Sequence, residues 1–160
     1  MTVERPDVLY ELSGEQRPDQ DVDQSPVPMP VPELLDEWFL WAAWIRQPEP
    51  RSENGNDLIG FAEFDWIVDR HPEHAWAAIL AATHDERLPP FMATFAAGPL
   101  EGLLSRHGSQ FIDRVESEAA LNPKFASLLG GVWQFQMTDD IWARVQAAWD
   151  LRGWDGIPSD

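Results

Sequence analysis

The chain has no cysteine, which removes disulfides, thiolate metal sites and a cysteine nucleophile together. No apolar run approaches the ~20 residues that a bilayer-spanning helix requires. The opening stretch "MTVERPDVLYELSGEQ" lacks the basic-then-apolar order of a secretory signal. No segment alternates apolar and polar residues long enough to argue a half-buried strand. A glycine-rich phosphate loop, a G-x-S-x-G elbow and an H-E-x-x-H helix are all missing. Positive charge is scarce too, with 11 Lys and Arg against 28 Asp and Glu. These absences lead to the expectation of a cytoplasmic protein with no cofactor and no metal.

What is present describes a folded object. A chain of 160 residues, 44% hydrophobic and with nine tryptophans, is long and apolar enough for one domain with a real core. Of the net charge of −17, residues 1–30 carry −5 and residues 31–150 carry −11, so the acidity belongs mostly to the folding part. Such a field repels nucleic-acid phosphate and anionic membrane, and it speeds encounter with a basic partner. Direct nucleic-acid binding and membrane binding are therefore not expected.

Punctuation divides the chain into three parts. Residues 1–30 hold five prolines among Asp, Glu and Gln and read as a flexible acidic leader, in which "VLYEL" is the one stretch able to dock. Residues 31–150 read as a helical domain. Residues 151–160, "LRGWDGIPSD", read as a tail whose Trp154 could fold back. In the first helix, from Pro32, the residues Leu34, Leu35, Trp38, Trp41, Ala42 and Ile45 make one apolar stripe. Further helices are expected at about 58–70 and 72–84. A short helix or turn follows in "RLPPFMATFAAG". Pro99 starts another helix, with Gly108 as its left-handed C-cap and Ser109 capping the next. Asn122–Pro123 restarts the chain, and Thr138 caps the last helix. The expectation is an all-α fold of about seven helices. "DRHPEHAWAAIL" and "AALNPKFASLL" echo each other, which suggests two αα-hairpins stacked in a HEAT-like way.

The titratable residues offer few sites. His107 falls beside a leucine stripe at a helix end, where an imidazole can bond the last carbonyls, so a structural role is expected. Glu101 lies about 120° round that helix, and Glu116 could approach only through the hairpin. These three would be the acid–base groups if the protein were a small enzyme. "HPEH" places His71 and His74 three apart, but a zinc site needs at least a third protein ligand and none is in register. The first helix leaves Leu40 and Trp44 off its stripe, beside Glu33 and Glu37. An aromatic next to carboxylates is a typical anchor for a basic protein surface.

The stretch "AGPLEGLLSRHGSQFIDRVESEAALNPKFASLLGGVWQ" carries a resemblance. Its "AGPLE", "LL", "HG", "FI" and "LGGVW" resemble the core of a family of small bacterial helical proteins of unknown function, over about 65 to 145. The resemblance implies a helical domain with no catalytic residue to carry over, and it leans toward accessory proteins of bacterial conflict systems. The function expected is a non-enzymatic acidic binding protein, immunity- or antitoxin-like, that occludes a basic toxin or nuclease-like partner. The alternatives are the small enzyme with Glu101, His107 and Glu116, and a subunit of a larger assembly.

Overall fold

The computed structural model describes residues 26–51, 55 and 57–149, and within these the chain is all-helical with no strand. The "VLYEL" stretch and Trp154 lie outside the described residues.

Helix α1 spans Val31–Ile45. Pro32 sits in its first turn, where a missing N–H costs nothing, and Pro48 lies three residues past its last. It buries Leu34, Leu35, Trp38, Phe39 and Ala42. Phe39 is outside the expected stripe, whereas Trp41 and Ile45, within it, are only half-buried. Helix α2, Gly60–Arg70, stops at His71 because Pro72 follows and disfavours a helical residue before it. Helix α3, Pro72–Ala82, reuses that proline as its first residue. Gly60 is required where α1 and α2 cross, since a Cβ there would lie 2.2 Å from the Glu37 carbonyl oxygen.

Two expectations about the middle of the chain are corrected. Pro99 does not start a helix. It lies inside a π-turn, Ala96–Leu100, that joins the short α4, Met92–Phe95, directly to α5, Glu101–Leu121. The wider π-turn accommodates a ring that has no N–H to give the preceding turn. Nor is Gly108 a left-handed cap, and Ser109 caps nothing. The break is a kink at His107 (φ −131°, ψ 23°), with helix continuing on both sides. Gly108 is there for close packing, because a Cβ would come 3.0 Å from the Ile141 side chain of the last helix.

Helix α6, Pro123–Leu129, has the cap its sequence promises: the Asn122 side chain accepts from Lys124 N–H (3.1 Å) and Phe125 N–H (3.2 Å). Helix α7 is Asp139–Ala148. Thr138 takes its N-cap position without a side-chain cap bond. The Asp140 carboxylate accepts instead, from the Thr138 side chain first, and this holds it below the usual carboxylate range.

Helix α5 is the spine, touching α2, α3, α6 and α7, while α1 packs on α2 and α3. Trp38 is fully buried, edge-on to Phe95 at 4.8 Å and to Phe39 at 5.3 Å. The two proline corners of the sequence echo, α2–α3 and α5–α6, are both present. They meet where Trp76 packs on Phe111 and Phe125. Ahead of α1 the described chain already makes contacts with the domain, within the stretch read as leader. Met29 packs against the core, and its carbonyl accepts from His74 Nε2 at 2.7 Å.

Candidate functional site

The π-turn that seats Pro99 also opens the surface. Beside it lies a cleft of about 140 Å³ between α2, the π-turn, the start of α5 and the loop that leads to α7. Trp38 and Phe64 form its apolar base, and Gly98 contributes backbone with open space where a side chain would be. Phe61 and Phe135 stand at its sides, 48% and 71% exposed. The charged groups that line it are Asp65, Glu101 and Arg106.

These three charges are not equivalent. Arg106 donates to the Asp65 carboxylate at 2.5 Å and to the Asp65 backbone carbonyl at 3.1 Å, so that pair is internally compensated. Glu101 has no cation on it among the described residues. Its Oε2 accepts the Trp133 backbone N–H at 3.1 Å. Burial pushes its carboxyl above the usual carboxylate range, and the Trp133 bond only partly offsets that. One uncompensated carboxylate therefore faces an aromatic-walled cleft.

The loop that completes the cleft is held in an uncommon shape. Phe135 has φ +45°, a left-handed conformation that costs a bulky residue on the order of 1–2 kcal/mol. Its own ring recovers little of this, because it is mostly exposed. The turn is fixed instead by its neighbours. Met137 N–H donates to Gln134 O at 2.8 Å, and Gln134 Nε2 donates to Met137 O and to Asp139. Trp133, 63% exposed, sits on the same loop.

The residues singled out from sequence go to separate places. The acid–base trio is not brought together. His107 Nε2 donates to Val68 O at 2.8 Å, a carbonyl on α2 rather than one at the end of its own helix. Glu116 pairs with Arg144 on α7 at 2.5 Å, with Asp113 on the same guanidinium, which holds Glu116 below the usual range. Only Glu101 of the three lies in the cleft. The imidazoles of "HPEH" also part. His74, expected on a polar face, is half-buried and pins Met29. The His71 ring meets Trp66 edge-on at 5.1 Å, and its buried Nε2 has no partner.

On α1, Glu33 is exposed, Glu37 is half-buried and Leu40 is 56% exposed. Trp44 is less open than expected. The Arg51 guanidinium lies 5.3 Å from its ring centroid, and Gly55 sits so close that a Cβ would collide with the indole. This tryptophan holds the loop after α1. The neighbouring Trp41 stacks on Phe61 at 4.9 Å, so the α1 edge adjoins the cleft rim. Sequence reasoning missed Phe61 and Phe135. The only trace of Phe135 was its place after the "LGGVW" turn.

Comparison with known proteins places the chain. The model of a family of unknown function, DUF6869, matches residues 49–153. The chain belongs to that family. The match covers all of the cleft except Trp38. No curated protein and no solved structure matches the chain. Among the described residues, no helix of this DUF6869 member is long and apolar enough to cross a membrane.

Proposed function

We propose that this DUF6869 member is a non-enzymatic binding protein that occludes a basic protein partner in the cytoplasm, in the manner of an immunity or antitoxin protein. The observation that carries the reading is the exposed aromatic rim of the cleft. Phe61 and Phe135 line the cleft with Glu101 and are well exposed, and Trp133, whose backbone N–H meets Glu101, is exposed on the same loop as Phe135, on a chain of net charge −17. Exposed aromatics supply affinity once an interface dries them, and surrounding carboxylates steer a basic partner and fix its register. The α1 edge, with Leu40, Glu33 and Glu37, extends the rim through the Trp41–Phe61 stack. Trp44 belongs to this surface through the loop it holds rather than as a free anchor. The ion pairs of the described residues use most of the arginines internally, which leaves the excess carboxylates to set the external field.

The test is capture from host lysate on immobilised full-length protein, followed by association kinetics with the captured protein. A basic partner should be retained, with association slowed by salt and by Glu37→Lys. Trp133→Ala should speed dissociation without changing the melting curve. An acidic partner, or none at physiological ionic strength, defeats the reading.

A further inference from the structure

The fold handles its own arginines in a repeated way. Arg87 lies over Phe39, 4.6 Å from the ring centroid, with its guanidinium on Asp36 and Asp85. Arg114 lies over Phe111 at 4.3 Å and makes two bonds of 2.7 Å to Glu73. In both, a planar cation stacks on an aromatic face while a carboxylate takes its N–H groups, the arrangement that guanidinium geometry favours. The cleft offers the same two elements, the Phe61 and Phe135 rings and the Glu101 carboxylate. No arginine of the described residues sits on Glu101, since Arg106 is committed to Asp65.

We infer that the cleft is a receptor for a single arginine side chain presented by the basic partner, with the guanidinium stacked against Phe135 or Phe61 and bonded to Glu101. This rests on the binding reading above and names the chemical group that it recognises. A volume of about 140 Å³ admits the end of one side chain and excludes a helix or strand. Glu101 Oε2 already accepts from Trp133, which orients the carboxylate and leaves Oε1 for the ligand. A bound cation would also offset the burial that raises the Glu101 carboxyl. Asp65 and Arg106, the other charged groups of the cleft, cancel each other and leave it a net acceptor of one positive charge. Arginine is favoured over lysine because a flat guanidinium can stack and bond at once, whereas an ammonium is a compact, strongly hydrated charge.

The experiment is an amide-resolved titration of the full chain with blocked arginine (N-acetyl-arginine methylamide), with blocked lysine and blocked citrulline as comparisons. Blocked arginine should shift the Trp133 and Glu101 amides saturably. Blocked lysine should bind severalfold more weakly, and citrulline, which is isosteric but neutral, should not saturate. Glu101→Gln should weaken the arginine interaction about tenfold, and Phe135→Ala about two- to fivefold, with helical content unchanged in both. Equal shifts with citrulline, no saturation with arginine, or full binding by Glu101→Gln would each overturn the inference. The two proposals can fail separately. If a basic partner is captured but blocked arginine leaves Trp133 unmoved, the partner is held elsewhere and the receptor is wrong. If blocked arginine binds and no basic protein is captured, the cleft stands and the protein-partner reading falls.

Discussion

His107→Ala tests the joint between α5 and α2 most directly. In a helix that continued past Arg70, the Val68 carbonyl would receive the N–H of residue 72. That residue is Pro72, which has none, and the chain has already left helical geometry at His71. The Val68 carbonyl is thus an acceptor created by the proline break, on a residue that is itself buried, and His107 Nε2 fills it at 2.8 Å. A carbonyl can only accept, so Nε2 carries the proton in this contact. Truncation to alanine strands the acceptor, at about 1–3 kcal/mol. It also removes a half-buried ring at the kink, so about 2 kcal/mol in all is expected. For a domain of this size that is a fall of about 8 °C in melting temperature. His107→Gln keeps an N–H donor of similar reach and should cost about 1 kcal/mol, half the loss. Thermal melts and urea titrations of both variants are the assay, with unchanged m-values showing that the native fold is the one melting. If His107→Ala melts on the parent curve, water serves the Val68 carbonyl and the joint is not structural.

Three further outcomes are expected. Gly60→Ala should cost more than about 2 kcal/mol, because its Cβ would meet the rigid Glu37 carbonyl, whereas Gly108→Ala should stay under about 1 kcal/mol because the Ile141 side chain can yield; the reverse order of melting temperatures would refute both packing arguments. A chain beginning at Val31 should be less stable by about 1 kcal/mol than one beginning at Pro26, since it loses the His74–Met29 bond and the Met29 contact; identical melts would show that this contact adds nothing to stability. Glu101 has its folded carboxyl raised above the ordinary 4.5, so its burial lowers stability as pH rises from the ordinary value through the folded one. Glu101→Gln should therefore be the more stable protein near neutral pH and lose that advantage below the ordinary carboxylate range, and a difference that does not change with pH would contradict the assignment.

What the sequence alone decided is the helical class and most of its punctuation. Apolar spacing at helical period placed Leu34, Leu35, Trp38 and Ala42 in the core, and Pro32, Pro72 and the Asn122–Pro123 cap mark real helix starts, because capping and proline chemistry act within a few residues. A family of unknown function was legible as a resemblance over about 65 to 145, and the family match extends over residues 49–153. What depends on distant neighbours was not legible. Pro99 looks like a helix start, yet packing carries the helix across it as a π-turn. Gly108 looks like a cap, but it is small because Ile141 lies against it from a helix more than thirty residues on. A structural reading of His107 follows from its place beside a leucine stripe, but its acceptor belongs to α2, 39 residues back. The cleft was invisible for the same reason. Phe61, Glu101 and Phe135 are far apart in the chain and carry no shared spacing, and only the crossing of α2, the π-turn and the loop before α7 brings them to one opening.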